Sequence, residues 1–99
     1  MIEFTTTEYN NKFFPNDTSW KQLAYRTCAI SRLEGVFGCP KRPWMHELEV
    51  VVLVKVLSYY VLLGKDHVNK QWHELAISND KTALLIWKDL NYAGVVAKA

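Results

Sequence analysis

The chain has 99 residues, 49% of them hydrophobic and 13% aromatic, and a formal net charge of +2. This composition predicts a single domain over residues 1–99 and excludes an intrinsically disordered chain, which would be poor in aromatic residues. A net charge of +2 is much smaller than that of a dedicated nucleic-acid-binding domain, so charge alone does not identify the partner.

The sequence also predicts where the protein works. Its first residues contain neither a basic segment nor an apolar run, so we expect no secretory signal. The longest apolar stretch, residues 50–63, contains Lys55 and is too short to cross a bilayer as a helix. Cys28 and Cys39 are therefore expected to be reduced thiols, and the protein is expected to be cytoplasmic, with no membrane partner.

Two elements are predicted in the first half of the chain. Within residues 1–8, β-branched or aromatic residues alternate with polar ones, which is typical of a short strand. Residues 19–34 carry apolar side chains at every third or fourth position, and Ser19 and Gln22 have the spacing of a capping box. This pattern predicts an amphipathic helix, which the glycines that follow would end.

The segment 44–63 is the most apolar part of the chain. Pro43 suits the first turn of a helix and Gly64 suits its end, so we predict a helix that is apolar on nearly all sides. Five valines lie between positions 50 and 56, which leaves a buried strand as the alternative. The helix is favoured because apolar and polar residues do not alternate there and the stretch exceeds an ordinary strand.

The last third of the chain contains two further predicted helices. Residues 69–77 begin at a polar cap, and residues 81–92 follow the polar break at 78–80. Gly94 suits the end of the second of these helices, and residues 94–98 are predicted to form a strand. The four helices and two short strands predict a mainly α fold with a small sheet that joins the ends of the chain.

Residues 68–96 have the most informative spacing in the sequence. They begin with an apolar residue and a polar cap, place Thr82 near the start of a helix, and close with Leu-x-x-x-Gly and two aliphatic residues over 90–96. This arrangement resembles the helix-turn-helix and wing entry of winged-helix proteins of the MarR and PadR type. The resemblance implies a winged-helix-like C-terminal half, with 81–92 as the recognition helix and 44–63 as an earlier helix. The turn is one residue shorter than in those families, and little chain remains for a wing.

The helix 81–92 supplies most of the candidate contact residues. The predicted partner-binding residues are Arg42, Trp44, Lys81, Leu84, Leu85 and Lys88. The inward face is predicted to hold Ala83, Ile86, Trp87 and Leu90. This would leave Leu84 and Leu85 facing outward. Leucine cannot read base edges by hydrogen bonds, so an exposed leucine pair favours a protein partner. Burial in the core remains the alternative for both leucines.

We therefore expect a small non-enzymatic protein, monomeric or homodimeric, that binds a larger protein assembly. By analogy, such compact chains include phage- or plasmid-type inhibitors of host machinery, for example anti-CRISPR proteins. The alternative is a winged-helix transcriptional regulator that binds DNA. Its predicted nucleic-acid contacts are Lys65, Lys70, Lys81, Thr82 and Lys88. A continuous positive stripe across these lysines would favour DNA, and a neutral patch around Leu84 and Leu85 would favour protein.

No catalytic, cofactor or metal site is predicted. Two segments, beginning at His46 and His73, start like the zinc-protease motif, which requires a second histidine four residues later. Val50 and Ile77 occupy those positions, so neither segment can supply the two imidazoles that bind zinc. The two cysteines are also too far apart in sequence to form the close ligand pair of a structural zinc site.

Overall fold

The computed structural model describes residues 1–16, 35–39 and 47–98. Within these ranges the chain forms one sheet of six strands and two helices. The strands are β1 (Ile2–Phe4), β2 (Val36–Gly38), β3 (Leu48–Val56), β4 (Tyr59–Asp66), β5 (Trp72–Ser78) and β6 (Ala97–Lys98), and the helices are α1 (Thr6–Phe13) and α2 (Lys81–Asn91).

The centre of the sheet is the antiparallel meander β3–β4–β5, and β2 pairs antiparallel with the far side of β5. The remaining two strands share the outer edge of β3 and both run parallel to it. β1 pairs with Val54 to Val56, and β6 pairs with Val51 and Val52. The residues near the two ends of the chain therefore lie end to end along one strand.

The prediction of a mainly α fold with four helices is wrong. The predicted helix 44–63 is, from residue 48 onward, the hairpin of β3 and β4. Alternation is missing from its sequence because both faces of the sheet are covered: Val54 and Val56 pack on the side of α1, and Val51 and Leu53 on the side of α2. A strand buried on both faces reads as a continuous apolar run, which periodicity alone cannot distinguish from a buried helix.

The winged-helix interpretation is also wrong. Residues 69–77, predicted as the second helix of the helix-turn-helix, form a turn followed by β5. A recognition helix without that supporting helix cannot form the motif, so the resemblance over 68–96 does not extend to the fold. Residues 94–98 do contain a strand, β6, but it pairs with β3 instead of forming a wing.

The helix predicted at 81–92 is confirmed as α2, and the predicted strand at 1–8 is confirmed only for Ile2–Phe4. Thr6 begins α1, because the side chain of Thr5 accepts a hydrogen bond from the Glu8 amide and the Glu8 side chain accepts one from the Thr5 amide. This capping box ends β1 after three residues. The predicted helix 19–34 lies outside the described residues.

The two helices cover opposite faces of the sheet and create two separate cores. The core on the α1 side consists of Tyr9, Phe13, Val54, Val56, Val61, Leu63 and Ile77, with Phe4, Phe14, Val52, Tyr59 and Trp72 at its margin. The core on the α2 side consists of Val51, Leu53, Leu62, Leu75, Ala76, Leu84 and Tyr92, with Leu85 and Trp87 among the residues at its margin. The alternation of side chains along β3 and β4 supplies both cores at once.

The two hairpin turns of the meander lie at opposite ends of the sheet, and each holds a residue in the left-handed region. Leu57, between β3 and β4, has φ of 58°, and Lys70, just before β5, has φ of 56°. This conformation costs a side chain with a Cβ roughly 1–2 kcal/mol, and glycine adopts it freely. Both side chains are exposed, so burial of the side chain does not explain the left-handed conformation at either position.

Candidate binding surfaces

The helix α2 is firmly fixed at both ends. The Asp80 side chain accepts hydrogen bonds from the amides of Thr82 (3.0 Å) and Ala83 (3.3 Å), which satisfies the first free donors of the helix. At the other end, the Tyr92 amide donates to the carbonyl of Lys88 at 2.7 Å. The helix therefore presents its side chains in one defined orientation.

The inner face of α2 contains residues that the sequence placed outside. Leu84 is 0% exposed and belongs to the α2-side core, so its predicted role as a surface contact is wrong. Leu85 is half-buried against the same core. Lys88 is only 8% exposed, and its ammonium reaches the Asp89 carboxylate at 3.3 Å. A lysine buries its methylene stem in this way while its charged tip stays near water.

The outer face of α2 is apolar at two positions that sequence reasoning missed. Ile86 is 57% exposed and Leu90 is 80% exposed, and they lie one helical turn apart. Both were predicted to face inward. Of that predicted inward set, only Trp87 packs against the core, with its ring over Gly38, where a β-carbon would overlap it.

The four lysines and the threonine predicted to contact DNA do not form one stripe. Lys81 and Thr82 are exposed at the start of α2, whereas Lys88 is buried on the inner face of the same helix. Lys65 lies on the other side of the sheet, with its ammonium 5.8 Å from the ring centre of Trp72. The continuous positive surface that would favour DNA is therefore absent from the described residues.

Lys65 and Lys70 meet instead at the carboxylate of Glu49. The ammonium of Lys70 lies 2.7 Å from this carboxylate and that of Lys65 lies 3.8 Å from it, and the His67 ring nitrogen is 3.3 Å away. The hydrogen bond from Lys70 is the largest cause that holds the pKa of Glu49 below its ordinary value of 4.5, followed by that from His67. One carboxylate thus faces two lysines and a histidine.

Asp66 anchors the turn that carries Lys70. Its side chain is 0% exposed and accepts hydrogen bonds from the Val68 amide (2.8 Å), the Asn69 amide (3.2 Å) and the Asn69 side chain (2.9 Å). The side-chain bond from Asn69 is the main cause that lowers the pKa of Asp66 from its ordinary value of 3.8, and these backbone bonds act in the same direction. The turn between β4 and β5 is therefore built around a buried carboxylate.

Cations and aromatic rings alternate on the α1 side of the sheet. The ammonium of Lys12 lies 5.1 Å from the ring centre of Phe4 and 5.7 Å from that of Phe13. Phe13 in turn meets Trp72 edge-to-face at 5.2 Å, and Lys65 lies over Trp72. These distances are within the range of cation–π attraction and of paired aromatic rings. We call this series, Lys12–Phe13–Trp72–Lys65, the basic–aromatic row.

A cleft of about 470 Å³ opens beside the basic–aromatic row, between the end of α1 and the start of β5. Its lining residues are Lys12, Phe13, Phe14, Pro15, Asn16, Lys70, Gln71 and Trp72. This volume is within the range of small-ligand sites, which is roughly 300–1,000 Å³. Sequence reasoning missed the cleft because it assigned β5 to a helix.

The remaining predictions from the sequence concern metals, thiols and membranes. Among the described residues, no group of three potential ligands could hold a metal ion, and no helix is long and apolar enough to cross a membrane. Cys39 is a half-buried thiol. The predicted partner-binding residues Arg42 and Trp44 lie outside the described residues.

Comparison of the chain with protein-family models, with curated proteins and with solved structures gives no significant match.

Proposed function

We propose that the protein is a non-enzymatic interaction domain that docks onto another protein through the outer face of α2. The observation that carries this proposal is the exposure of Ile86 and Leu90, one turn apart on a helix whose opposite face is packed in the core. Apolar anchors at positions i and i+4 are the pattern by which a helix occupies a groove in a partner.

A single exposed apolar residue is common on protein surfaces and needs no explanation. Here two adjacent side chains form the patch, and the capped helix holds both in place before any partner arrives. Fully burying one such side chain contributes about 1.5–3 kcal/mol, so two of them can form the centre of an interface. Prior ordering of the helix further reduces the entropy lost on binding.

The charges beside the patch define the partner's chemistry. Asp89 precedes Leu90 in the helix, and the Asp89 side chain is 74% exposed. Lys81 is exposed at the opposite end of the helix. The partner is expected to offer an apolar groove with a basic group near Asp89 and an acidic group near Lys81. In this proposal the partner belongs to a larger protein assembly, and inhibition of host machinery would be one use of such docking.

Site-specific photo-crosslinking in cells that naturally make the protein tests this proposal. A photoreactive amino acid at position 86 or at position 90 is expected to capture the same protein. The matched control is position 11, because Asn11 is exposed on α1 at the opposite face of the sheet. Unlabelled native chain should compete for capture, and a Leu90→Asp chain should compete at least about tenfold less well, since burying an unpaired carboxylate is costly.

Equal capture from positions 11, 86 and 90, or no capture from the two α2 positions, would contradict the proposal. A crosslinked species of twice the chain mass would identify a second copy of this protein as the occupant instead. Each Asp variant is first compared with the native chain by circular dichroism, so that loss of folding is not read as loss of binding.

A further inference from the structure

The cleft beside the basic–aromatic row is cationic. Lys12 approaches it from the end of α1, and Lys70 approaches it from the turn before β5. None of the described residues that line the cleft is acidic. The single carboxylate of Glu49 faces both Lys65 and Lys70, so these two lysines carry more positive charge than it balances.

Lys70 occupies a backbone position that favours glycine. Its φ of 56° costs a residue with a Cβ some stability, and the turn geometry itself is already fixed by the hydrogen bonds to Asp66. The Lys70 side chain forms an ion pair with Glu49 at 2.7 Å, and the same residue lines the cleft. That side chain places an ammonium at the rim of the cleft.

The wall of the cleft is aromatic. Phe13, Phe14 and Trp72 line it, and the edge-to-face contact between Phe13 and Trp72 fixes the orientation of two of these rings. Asn16 and Gln71 add amide groups that both donate and accept hydrogen bonds. A few polar groups beside a rigid apolar wall are the usual composition of a small-molecule site.

The geometry points to a binding site for a phosphate monoester with a planar apolar body, that is, a ligand of mononucleotide class. A phosphate dianion would face the ammonium group of Lys12 and that of Lys70, which it would share with Glu49. The planar body would contact the aromatic wall. This site lies on the α1 side of the sheet and does not depend on docking through α2.

Titration of the full chain with adenosine monophosphate, followed by ¹⁵N NMR, tests this site. The Trp72 indole and the Lys70 and Gln71 amides are expected to shift and to saturate. Adenosine and inorganic phosphate, each lacking one half of the ligand, should bind at least about tenfold more weakly, because each loses one set of contacts. A 5′-phosphorylated dinucleotide tests whether the site binds a free nucleotide or the 5′ end of a strand, because only a site of the second kind would accommodate the additional nucleotide.

Two glycine substitutions separate the role of the Lys70 side chain from that of its backbone. Lys70→Gly and Leu57→Gly both relieve a left-handed residue in a hairpin turn, but only the first removes an ammonium from the cleft. We expect Lys70→Gly to weaken binding of adenosine monophosphate at least about tenfold, the usual loss for a charged hydrogen bond. Leu57→Gly should leave the affinity unchanged within about twofold, because its turn is at the other end of the sheet.

Lys12→Gln should weaken binding to a similar extent as Lys70→Gly. The proposal is overturned if no probe gives saturable shifts around the cleft, or if the Lys12→Gln, Lys70→Gly double variant binds as tightly as the native chain. Equal losses in Lys70→Gly and Leu57→Gly would also overturn it, because they would indicate a general effect of the turns.

Discussion

The two sides of the sheet are packed in different ways. On the α2 side, the buried side chains are mostly aliphatic and pack beside one ring contact between Trp87 and Tyr92. The glycines at 38 and 64 leave no room for one more carbon against Trp87 and Leu48. On the α1 side, aromatic rings meet edge-to-face, two lysines lie over them, and a cleft remains open. Large rigid rings contact at angles and leave concave spaces, whereas branched aliphatic side chains interdigitate. Because the space beneath α2 is filled, the candidate docking surface on that side is the outer face of the helix. On the α1 side the packing leaves a space, and the candidate site is the cleft at the end of α1.

The largest expected effect distinguishes the two faces of α2. Leu84→Ala should lower the free energy of unfolding by about 2–5 kcal/mol, because it leaves a cavity in the α2-side core. Leu90→Ala should change it by no more than about 0.5 kcal/mol, since this side chain is mostly in water. Urea unfolding of both variants measures the difference. Similar losses for the two would mean that the helix is rotated from the orientation described above.

A substitution at Gly38 measures how tightly the α2 side is packed. Gly38→Ala should cost about 1–3 kcal/mol, because the new methyl group overlaps the rigid ring of Trp87, which must move. The control on the α1 side is Asn11→Ala, at an exposed position where no more than about 0.5 kcal/mol is expected. An unchanged midpoint for Gly38→Ala in urea would show that the α2 side accommodates the extra carbon, which would contradict the close packing described above.

A third prediction concerns pH and the turn at Asp66. The pKa of this carboxyl is lower in the folded chain than its ordinary value of 3.8. Its contribution to stability is therefore fully present above pH 3.8 and is lost as the pH falls through the folded pKa. Asp66→Asn should destabilise the protein at neutral pH and flatten the fall in melting temperature between neutral and acidic pH. Asp89→Asn, at an exposed carboxylate, should leave that fall intact, and equal flattening by both variants would contradict the role assigned to Asp66.

Part of this fold was predictable from the sequence. The helix 81–92 was found because a polar break supplies its cap and a glycine follows its end, and both signals are local. The hairpin at 48–66 was not found, because helices on both faces of the sheet remove the alternation that identifies a strand. The choice between a buried strand and a buried helix depends on what covers the segment, which the segment itself does not encode.

The rotation of α2 shows why its surface was misassigned. The helix is apolar on two sides, so the sequence contains two possible inward faces. The face with Ile86 and Leu90 is predicted to be the inner one because the winged-helix resemblance assigns the other face, which includes Lys88, to the outward positions of a recognition helix. In the structure, the stem of Lys88 is buried and its tip reaches Asp89, so the face that contains a charge is the inner one. The cleft could not be found at all, since it requires α1 and β5, which are distant in sequence.

The parallel pairing of β1 and β6 along β3 has a consequence for synthesis on the ribosome. The backbone groups of Val51 and Val52 on that edge pair with residues 97–98, which are translated more than 40 residues later. Until then this stretch of a valine-rich strand has an open edge, and open edges recruit strands from other chains. Nascent chains stalled before residue 97 should therefore be the form of this protein most prone to aggregate and most in need of a chaperone.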